Sequence, residues 1–302
     1  MCGIVGLFLK DSSLQPQLGA LLAPMLIGME ERGPDSAGIA VYRNGAPEGA
    51  VKMTLFHADT DFGWQGLVHH LSEDLGVKAE GEARATHFVM TAEIAAEILS
   101  PWLAHNYPEV RVMGLGERIE LFKEKGLPSE VVERFRLAEM GGSHAVGHTR
   151  MATESAVTTE HSHPFSTGLD LCLVHNGSLS NHNRLRAKLA RRGVAFQTDN
   201  DTEVAAGYFT YRLREGDSLD QALEAGLSDL DGFYTFAIGT KDGFAVLRDS
   251  FACKPAVLAE TEAWVAMASE YRSIAHLPGA REARIWEPEP ARIYSWTRPA
   301  AS

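Results

Sequence analysis

The chain opens with Met1-Cys-Gly-Ile-Val-Gly-Leu-Phe8, an apolar stretch with a cysteine directly behind the first methionine. Residues 4–9 predict a short buried strand. Removal of Met1 would leave Cys2 with both a thiol and a free α-amine. Because an α-amine has a pKa of about 7.7–8.0, it can take the thiol proton near neutral pH and activate a nucleophile. The alternative is an incidental cysteine at a frayed terminus.

Composition excludes several classes of protein. The 302 residues carry a net charge of −12 and are 45% hydrophobic, which fits a globular protein and argues against a nucleic-acid-binding surface. We recognise no signal peptide and no apolar run long enough to span a membrane. The three cysteines are widely spaced and odd in number, which indicates neither a disulfide framework nor a zinc knuckle. We therefore expect a cytoplasmic protein with no membrane partner.

Strand and helix signals alternate along the chain. A helix with Pro16 in its first turn is predicted to run to the Gly33-Pro34 break. Asn176-Gly177 predicts a tight turn at the end of a strand. Further strands are predicted at residues 38–42, 145–149, 171–175, 233–239, 244–248, 256–259 and 264–268, and further helices at 180–192 and 202–214.

The second half carries one clear helix start. Ser218 and Gln221 form a capping box that opens a helix. The Pro-rich tail from Pro278 onward is predicted to be irregular. Many strands in two groups, with amphipathic helices set apart from them, indicate stacked sheets covered by helices.

Residues 48–142 differ from the rest of the chain in their pattern of apolar and polar residues. Apolar runs at residues 86–91, 110–115 and 119–122 alternate with amphipathic stretches at 64–75 and 93–105. We interpret this part as an inserted α/β segment within a single domain of residues 1–302, with a hinge at Gly141-Gly142. It contains no short catalytic motif.

Six short motifs follow one another in a fixed order, and together they resemble the class II, N-terminal-nucleophile glutamine amidotransferases. The resemblance covers residues 1–45 and 143–275. The motifs are Met1-Cys-Gly-Ile-Val-Gly6, Glu31-Arg-Gly-Pro-Asp-Ser-Ala-Gly38, Gly147-His-Thr-Arg-Met-Ala-Thr153, His163-Pro-Phe165, Val174-His-Asn-Gly177 and Asp199-Asn-Asp-Thr-Glu-Val204.

The resemblance implies an α+β fold, a four-layer αββα sandwich of the Ntn-hydrolase type, and a set of catalytic residues. Cys2 would attack the carboxamide carbon of glutamine. The Asn176 side-chain amide and the Gly177 backbone N–H would bind the resulting oxyanion.

The same resemblance implies the residues that bind L-glutamine. Arg150 would hold the α-carboxylate, since its planar guanidinium pairs with a carboxylate through two hydrogen bonds. Thr153 would add a hydrogen bond, and Asp201 would pair with the α-ammonium. From sequence alone, a helix N-cap is a reasonable alternative explanation of Asp201. Met151 stands where several family members have Trp, which puts closure over the substrate in doubt.

The remaining titratable residues have simpler explanations. The His161-x-His163 pair lacks a carboxylate or thiolate at ligand spacing, so we predict no metal site. His163 is assigned no proton-transfer role. Cys172 is predicted to be a buried strand residue, and Cys253 has no neighbour that would activate it.

The resemblance is greatest to separate amidotransferase subunits of the glutamate synthase and N-methylglutamate synthase type. It implies hydrolysis of glutamine through a γ-glutamyl thioester, without a cofactor in this chain. The ammonia would pass to a partner synthase subunit, where flavin and iron–sulfur centres would lie. The alternatives are a stand-alone γ-glutamyl amide hydrolase and a non-catalytic glutamine-sensing subunit.

Overall fold

Two antiparallel sheets stack face to face in the centre of the molecule. The computed structural model describes residues 2–152 and 156–298. Within these ranges the first sheet has seven strands, in the spatial order β15 (Arg284–Trp286), β13 (Val257–Glu260), β14 (Trp264–Ala268), β1 (Gly3–Leu9), β8 (His144–Arg150), β2 (Ser36–Tyr42) and β7 (Ile119–Lys125). The opening stretch therefore forms a strand in the middle of this sheet.

The second sheet has five strands among the described residues. Their order is β16 (Ile293–Thr297), β12 (Gly243–Arg248), β11 (Gly232–Gly239), β10 (Leu171–Leu179) and β9 (Phe165–Gly168). Ile4 and Phe8 of the first sheet share a fully apolar cluster with Val174 and Phe244 of the second. Burial of this shared face holds the two sheets together.

Helices cover the outer face of each sheet. On the seven-stranded sheet, α1 (Leu18–Ile27) and α4 (Pro128–Arg134) contribute to one core cluster. On the five-stranded sheet, α5 (His182–Ala190), α6 (Asp201–Arg214) and α7 (Leu219–Asp229) contribute to another. The predicted α+β, four-layer αββα architecture is confirmed.

Part of the segment 48–142 builds a third sheet with its own apolar core. Its order is β4 (Ala79–Arg84), β5 (His87–Ala92), β3 (Val51–Phe56) and β6 (Arg111–Gly116), and α2 (Trp64–Leu75) and α3 (Ala96–Asn106) belong to the same unit. The chain then returns to the seven-stranded sheet, where β7 pairs with β2. The description of 48–142 as an insertion in a single domain stays a prediction.

The predicted first helix and the predicted irregular tail both differ from the structure. The helix expected from Pro16 to Gly33 is shorter than predicted. Only α1 is regular α-helix, and 3₁₀ turns at Ser12–Gln17 and Glu30–Arg32 flank it. Gly33 comes so close to β8 that an added Cβ would lie 2.5 Å from the Arg150 nitrogen, so this contact sets the chain path. The tail predicted to be irregular forms β15 and β16. Within residues 2–152 and 156–298, no helix is long and apolar enough to cross a membrane.

Candidate active site

Strand β1 places Cys2 at the end of the seven-stranded sheet. Gly3 pairs with Thr149 of β8, so Cys2 lies next to the end of β8 at Arg150. The Cys2 carbonyl accepts hydrogen bonds from Arg32 Nε and Asn176 Nδ2, each at 3.2 Å. Cys2 is half-buried and has a free thiol. The predicted nucleophile, which directly precedes β1, and one predicted oxyanion-hole residue, which lies in β10 of the other sheet, are therefore in direct contact.

Arg32 is a residue of this site that the sequence reasoning missed. Its Nη1 donates to Glu270 Oε1 at 2.7 Å while its Nε holds the Cys2 carbonyl. Arg32 lies within the quoted motif of residues 31–38, which was the available signal. The resemblance assigns no role to the arginine of this motif. The structure shows that this side chain ties Cys2 to the segment after β14.

The prediction of a tight turn at Asn176-Gly177 is wrong. Both residues lie within β10, where Asn176 pairs with Thr235 and Gly177 with Tyr234 of β11. Gly177 has a φ of +149°, and an added Cβ would lie 1.9 Å from the Phe233 carbonyl oxygen. Glycine is required here by close backbone approach rather than by a turn.

The direction of the Gly177 N–H follows from the partners of Tyr234. The Tyr234 N–H donates to Asp249 Oδ2 at 2.7 Å, and its carbonyl accepts from the Asp249 N–H at 3.1 Å. Both groups are thus used on the β12 side, and Gly177 and Tyr234 form a non-hydrogen-bonded pair. The Gly177 N–H therefore points to the other edge of β10, where the described pairing with β9 stops at Leu173.

Arg150 ends β8 and is buried, with 5% of its surface exposed. Its Nη1 donates to the Ala156 carbonyl at 2.9 Å. Asp35 fixes the backbone on both sides: its N–H donates to the Arg150 carbonyl, and its carboxylate accepts the Ala152 N–H at 2.7 Å. Thr153 lies outside the described residues.

Asp201 is the first residue of α6, but it is not the N-cap. Asn200 has that role, since its side chain accepts the Thr202 N–H at 2.8 Å. Asp201 Oδ2 instead accepts the Leu179 N–H at 2.9 Å, and Oδ1 lies 3.7 Å from His175 Nδ1. Burial raises the pKa of Asp201, but His175 and the Leu179 N–H outweigh it and hold the pKa at about 2. Asp201 is therefore an anion beside the Asn176–Gly177 stretch.

Comparison with known proteins identifies the family. Residues 148–276 match the family model described as a glutamine amidotransferase domain. The chain is 56% identical over 304 residues to the glutamine amidotransferase-like protein GlxB of Rhizobium meliloti (strain 1021), with 100% of both chains covered. The chain belongs to the glutamine amidotransferase family. A putative glutamine amidotransferase of Methanothermobacter thermautotrophicus is 32% identical, with 97% of this chain and 99% of that protein covered.

Solved structures agree with this family at the level of the fold. The structure of the allosteric regulatory enzyme of purine biosynthesis aligns with a TM-score of 0.64 and 22% identity. The alignment covers 98% of this chain and 47% of that one. A second, a glutamine phosphoribosylpyrophosphate amidotransferase from B. subtilis, aligns with a TM-score of 0.60 and 20% identity, over 99% of this chain and 50% of that one.

In this amidotransferase a buried histidine network supports the site. His163 Nε2 and His175 Nδ1 contact the same Thr202 hydroxyl at 2.7 and 3.0 Å, and the rings of His148 and His163 stack at 4.0 Å. Burial lowers the pKa of His148 to about 3, so its ring is neutral and Nε2 donates to the His175 carbonyl. Among residues 2–152 and 156–298, no group of three His, Cys, Asp or Glu side chains is arranged to hold a metal.

The other two cysteines are placed away from this chemistry. Cys172 is buried in β10, as predicted, and the Tyr42 hydroxyl donates to its sulfur at 3.3 Å. Burial raises the pKa of Cys172 to about 12, so it stays a thiol. Cys253 is exposed. The roles of Cys2, Asn176 and the other site residues stay predictions, which the geometry makes testable.

Proposed function

We propose that the chain hydrolyses L-glutamine to glutamate and ammonia through a γ-glutamyl thioester on Cys2. The observation that carries the proposal is the 3.2 Å hydrogen bond from the Asn176 side-chain amide to the Cys2 carbonyl. It supports the proposal because the predicted nucleophile and a predicted oxyanion donor are in contact, although they lie far apart in the chain. An amide NH₂ has two hydrogens, so one can hold Cys2 while the second faces an oxyanion.

The reaction would begin once Met1 has been removed. The α-amine of Cys2 takes the thiol proton, and the thiolate attacks the carboxamide carbon. Asn176 and the Gly177 N–H stabilise the oxyanion. When the tetrahedral intermediate collapses, the C–N bond breaks, the α-ammonium returns the proton to the leaving nitrogen, and ammonia departs. Water then cleaves the thioester to release glutamate and restore the thiol.

Charge at the site fits a free amino acid better than a simple amide. Arg150 would pair with the α-carboxylate, and Thr153 would add a hydrogen bond. Asp201, with a pKa of about 2, is negatively charged at neutral pH and would pair with the α-ammonium. The Leu179 N–H uses one direction of its Oδ2, and a carboxylate has about four acceptor directions.

The ammonia would pass to a partner synthase subunit of the glutamate synthase or N-methylglutamate synthase type, with flavin and iron–sulfur centres on the partner. Support comes from the resemblance, and from two family relatives that align with this chain over almost their entire length.

Replacing Cys2 by Ala tests the proposed chemistry, with Cys253→Ala as the matched control because that thiol is exposed and lies outside the site. We expect C2A to lose glutamine-dependent activity, while ammonia-dependent activity of the complex with its partner survives. C253A should keep both. Survival of glutamine-dependent activity in C2A would show that Cys2 is not the nucleophile.

The partner is tested separately, with the purified chain alone. Weak glutaminase activity that rises when the synthase subunit is added supports the subunit role. High activity alone on another γ-glutamyl amide would instead favour the stand-alone hydrolase. Saturable glutamine binding without any turnover, alone or with the partner, would favour the sensing subunit.

A further inference from the structure

A cavity of about 480 Å³ lies at one end of the seven-stranded sheet, and Cys2 lies at the other end. Arg43, directly after β2, and Ser143, directly before β8, line it. The same strands carry Ser36 and Arg150 at their other ends, beside Cys2. Since each strand has seven residues, the cavity lies roughly 20 Å from the proposed active site.

The lining of this cavity is strongly basic. It contains Arg43, Lys52, Arg118 and Arg298, against the single carboxylate of Glu120. Glu120 is already used, because its two oxygens lie 3.0 Å from Lys52 Nζ and 3.0 Å from Arg43 Nη1. In a chain with a net charge of −12, such a local excess of positive charge is not a general property of the surface.

The neighbouring carboxylates form no ion pair with Arg118 or Arg298 among the described residues. Asp170 accepts the backbone N–H groups of residues 117–119, and Glu117 pairs with Lys241 at 2.5 Å. The backbone carbonyl of Asp242 accepts the Arg298 N–H. The Asp242 carboxylate raises the pKa of the Arg298 side chain, whereas burial lowers it. Among the described residues, Arg118 and Arg298 are thus the cations of the lining that form no ion pair, although the charge of Asp242 acts on Arg298.

Both guanidinium groups also have an unused donor. Within the described part of the chain, the Nε atoms of Arg118 and Arg298 are buried and have no hydrogen-bond partner. Burial, and then the charge of Arg118, lower the pKa of Arg298, which shows that the two cations repel each other. Like charges close together cost free energy, and an anion held between the two guanidinium groups would offset their repulsion.

We infer that this cavity binds a small dianion, either a phosphate group or a dicarboxylate, between Arg118 and Arg298. The planar fork of a guanidinium matches both kinds of oxyanion. A volume of about 480 Å³ lies within the usual range of small-ligand sites. The site does not depend on the proposed glutaminase chemistry, because none of its residues contacts Cys2, Arg150, Asn176 or Asp201 through any described hydrogen bond or ion pair.

Calorimetric titration of the purified chain at low ionic strength tests the inference, with inorganic phosphate, pyrophosphate and succinate as separate probes. We expect saturable binding of one anion per chain. The double variant Arg118→Gln/Arg298→Gln should weaken it by roughly 100-fold or more, since each lost charged hydrogen bond is worth about a tenfold change or greater. Arg281→Gln, which removes an exposed arginine elsewhere, should bind as the parent does.

The titrations distinguish a phosphate site from a dicarboxylate site, and they also show whether the inference fails. Binding of phosphate or pyrophosphate but not succinate assigns a phosphate site, and the reverse assigns a dicarboxylate site. The Arg118→Lys/Arg298→Lys variant keeps the charge and should bind with intermediate affinity, which guards against misfolding as the cause of a loss. Absence of saturable binding for all three probes, or equal binding by the double Gln variant, would overturn the inference. Glutaminase activity should be unchanged in every variant.

Discussion

Arg32→Ala is expected to damage catalysis more than stability. The side chain is 12% exposed and joins the Cys2 carbonyl, at 3.2 Å, to Glu270, at 2.7 Å. Removal of Arg32 does not leave Glu270 without a cation, because Arg272 Nε still lies 2.8 Å from the Glu270 carboxylate. We therefore expect a loss of about 1–2 kcal/mol in the free energy of unfolding.

The catalytic effect follows from the position of Cys2. With Arg32 gone, Asn176 is the remaining described side-chain donor to the Cys2 carbonyl. Since a displacement of about 1 Å can cost 100-fold in rate, we expect kcat for glutamine hydrolysis to fall by about 10- to 100-fold. KM should change little, because Arg32 contacts the nucleophile residue rather than a predicted substrate-binding side chain. Steady-state glutaminase kinetics and urea unfolding measure the two effects.

Arg272→Ala is the matched control for Arg32→Ala. It removes the other cation on Glu270 and a surface pair with Glu31, and its side chain is 49% exposed. An exposed pair of this kind contributes about 0–1 kcal/mol, so its kinetics should resemble those of the parent. Wild-type kcat in Arg32→Ala, or an equal loss of kcat in Arg272→Ala, would refute the assigned role of Arg32.

Three further variants test other parts of the structure. Gly177→Ala places a Cβ 1.9 Å from the Phe233 carbonyl oxygen, so we expect reduced stability and a loss of about 100-fold or more in kcat, seen by urea unfolding and glutaminase assay. The low pKa of Asp201 contributes about 2 kcal/mol of stability that is present above about pH 4 and is lost as the pH falls toward 2. The stability advantage of the parent over Asp201→Asn should therefore shrink over that range in urea unfolding; a constant difference would contradict the low pKa. Lys123→Met removes the donor to three backbone carbonyls and should cost about 2–4 kcal/mol in thermal or urea unfolding, whereas the exposed Lys125→Met should cost little.

Local sequence signals predicted much of the regular structure. The capping box at Ser218 is present, with the Gln221 N–H donating to the serine hydroxyl at 3.2 Å, and α2 spans Trp64–Leu75 as its apolar periodicity indicates. Such elements are determined by residues close together in the chain. The order of the motifs, in turn, pointed to the two-sheet sandwich that the structure shows.

Features that depend on distant contacts were missed. Asn176-Gly177 has the composition of a turn, but pairing with β11 keeps it in a strand, and no local signal reveals a partner some 60 residues away. Strand β4 is charged and exposed, so its sequence lacks an apolar pattern; it forms through pairing with β5. Arg32 gained a role only when folding brought it to the Cys2 carbonyl.

Intact-mass analysis of the active protein tests the central claim most directly, before and after treatment with a diazoketone analogue of glutamine. We predict a mass lower than that of the full sequence by one methionine residue, and a single covalent adduct that peptide mapping places on Cys2. Fully active protein that retains Met1, or an adduct on Cys172 or Cys253 with Cys2 unmodified, would contradict the account.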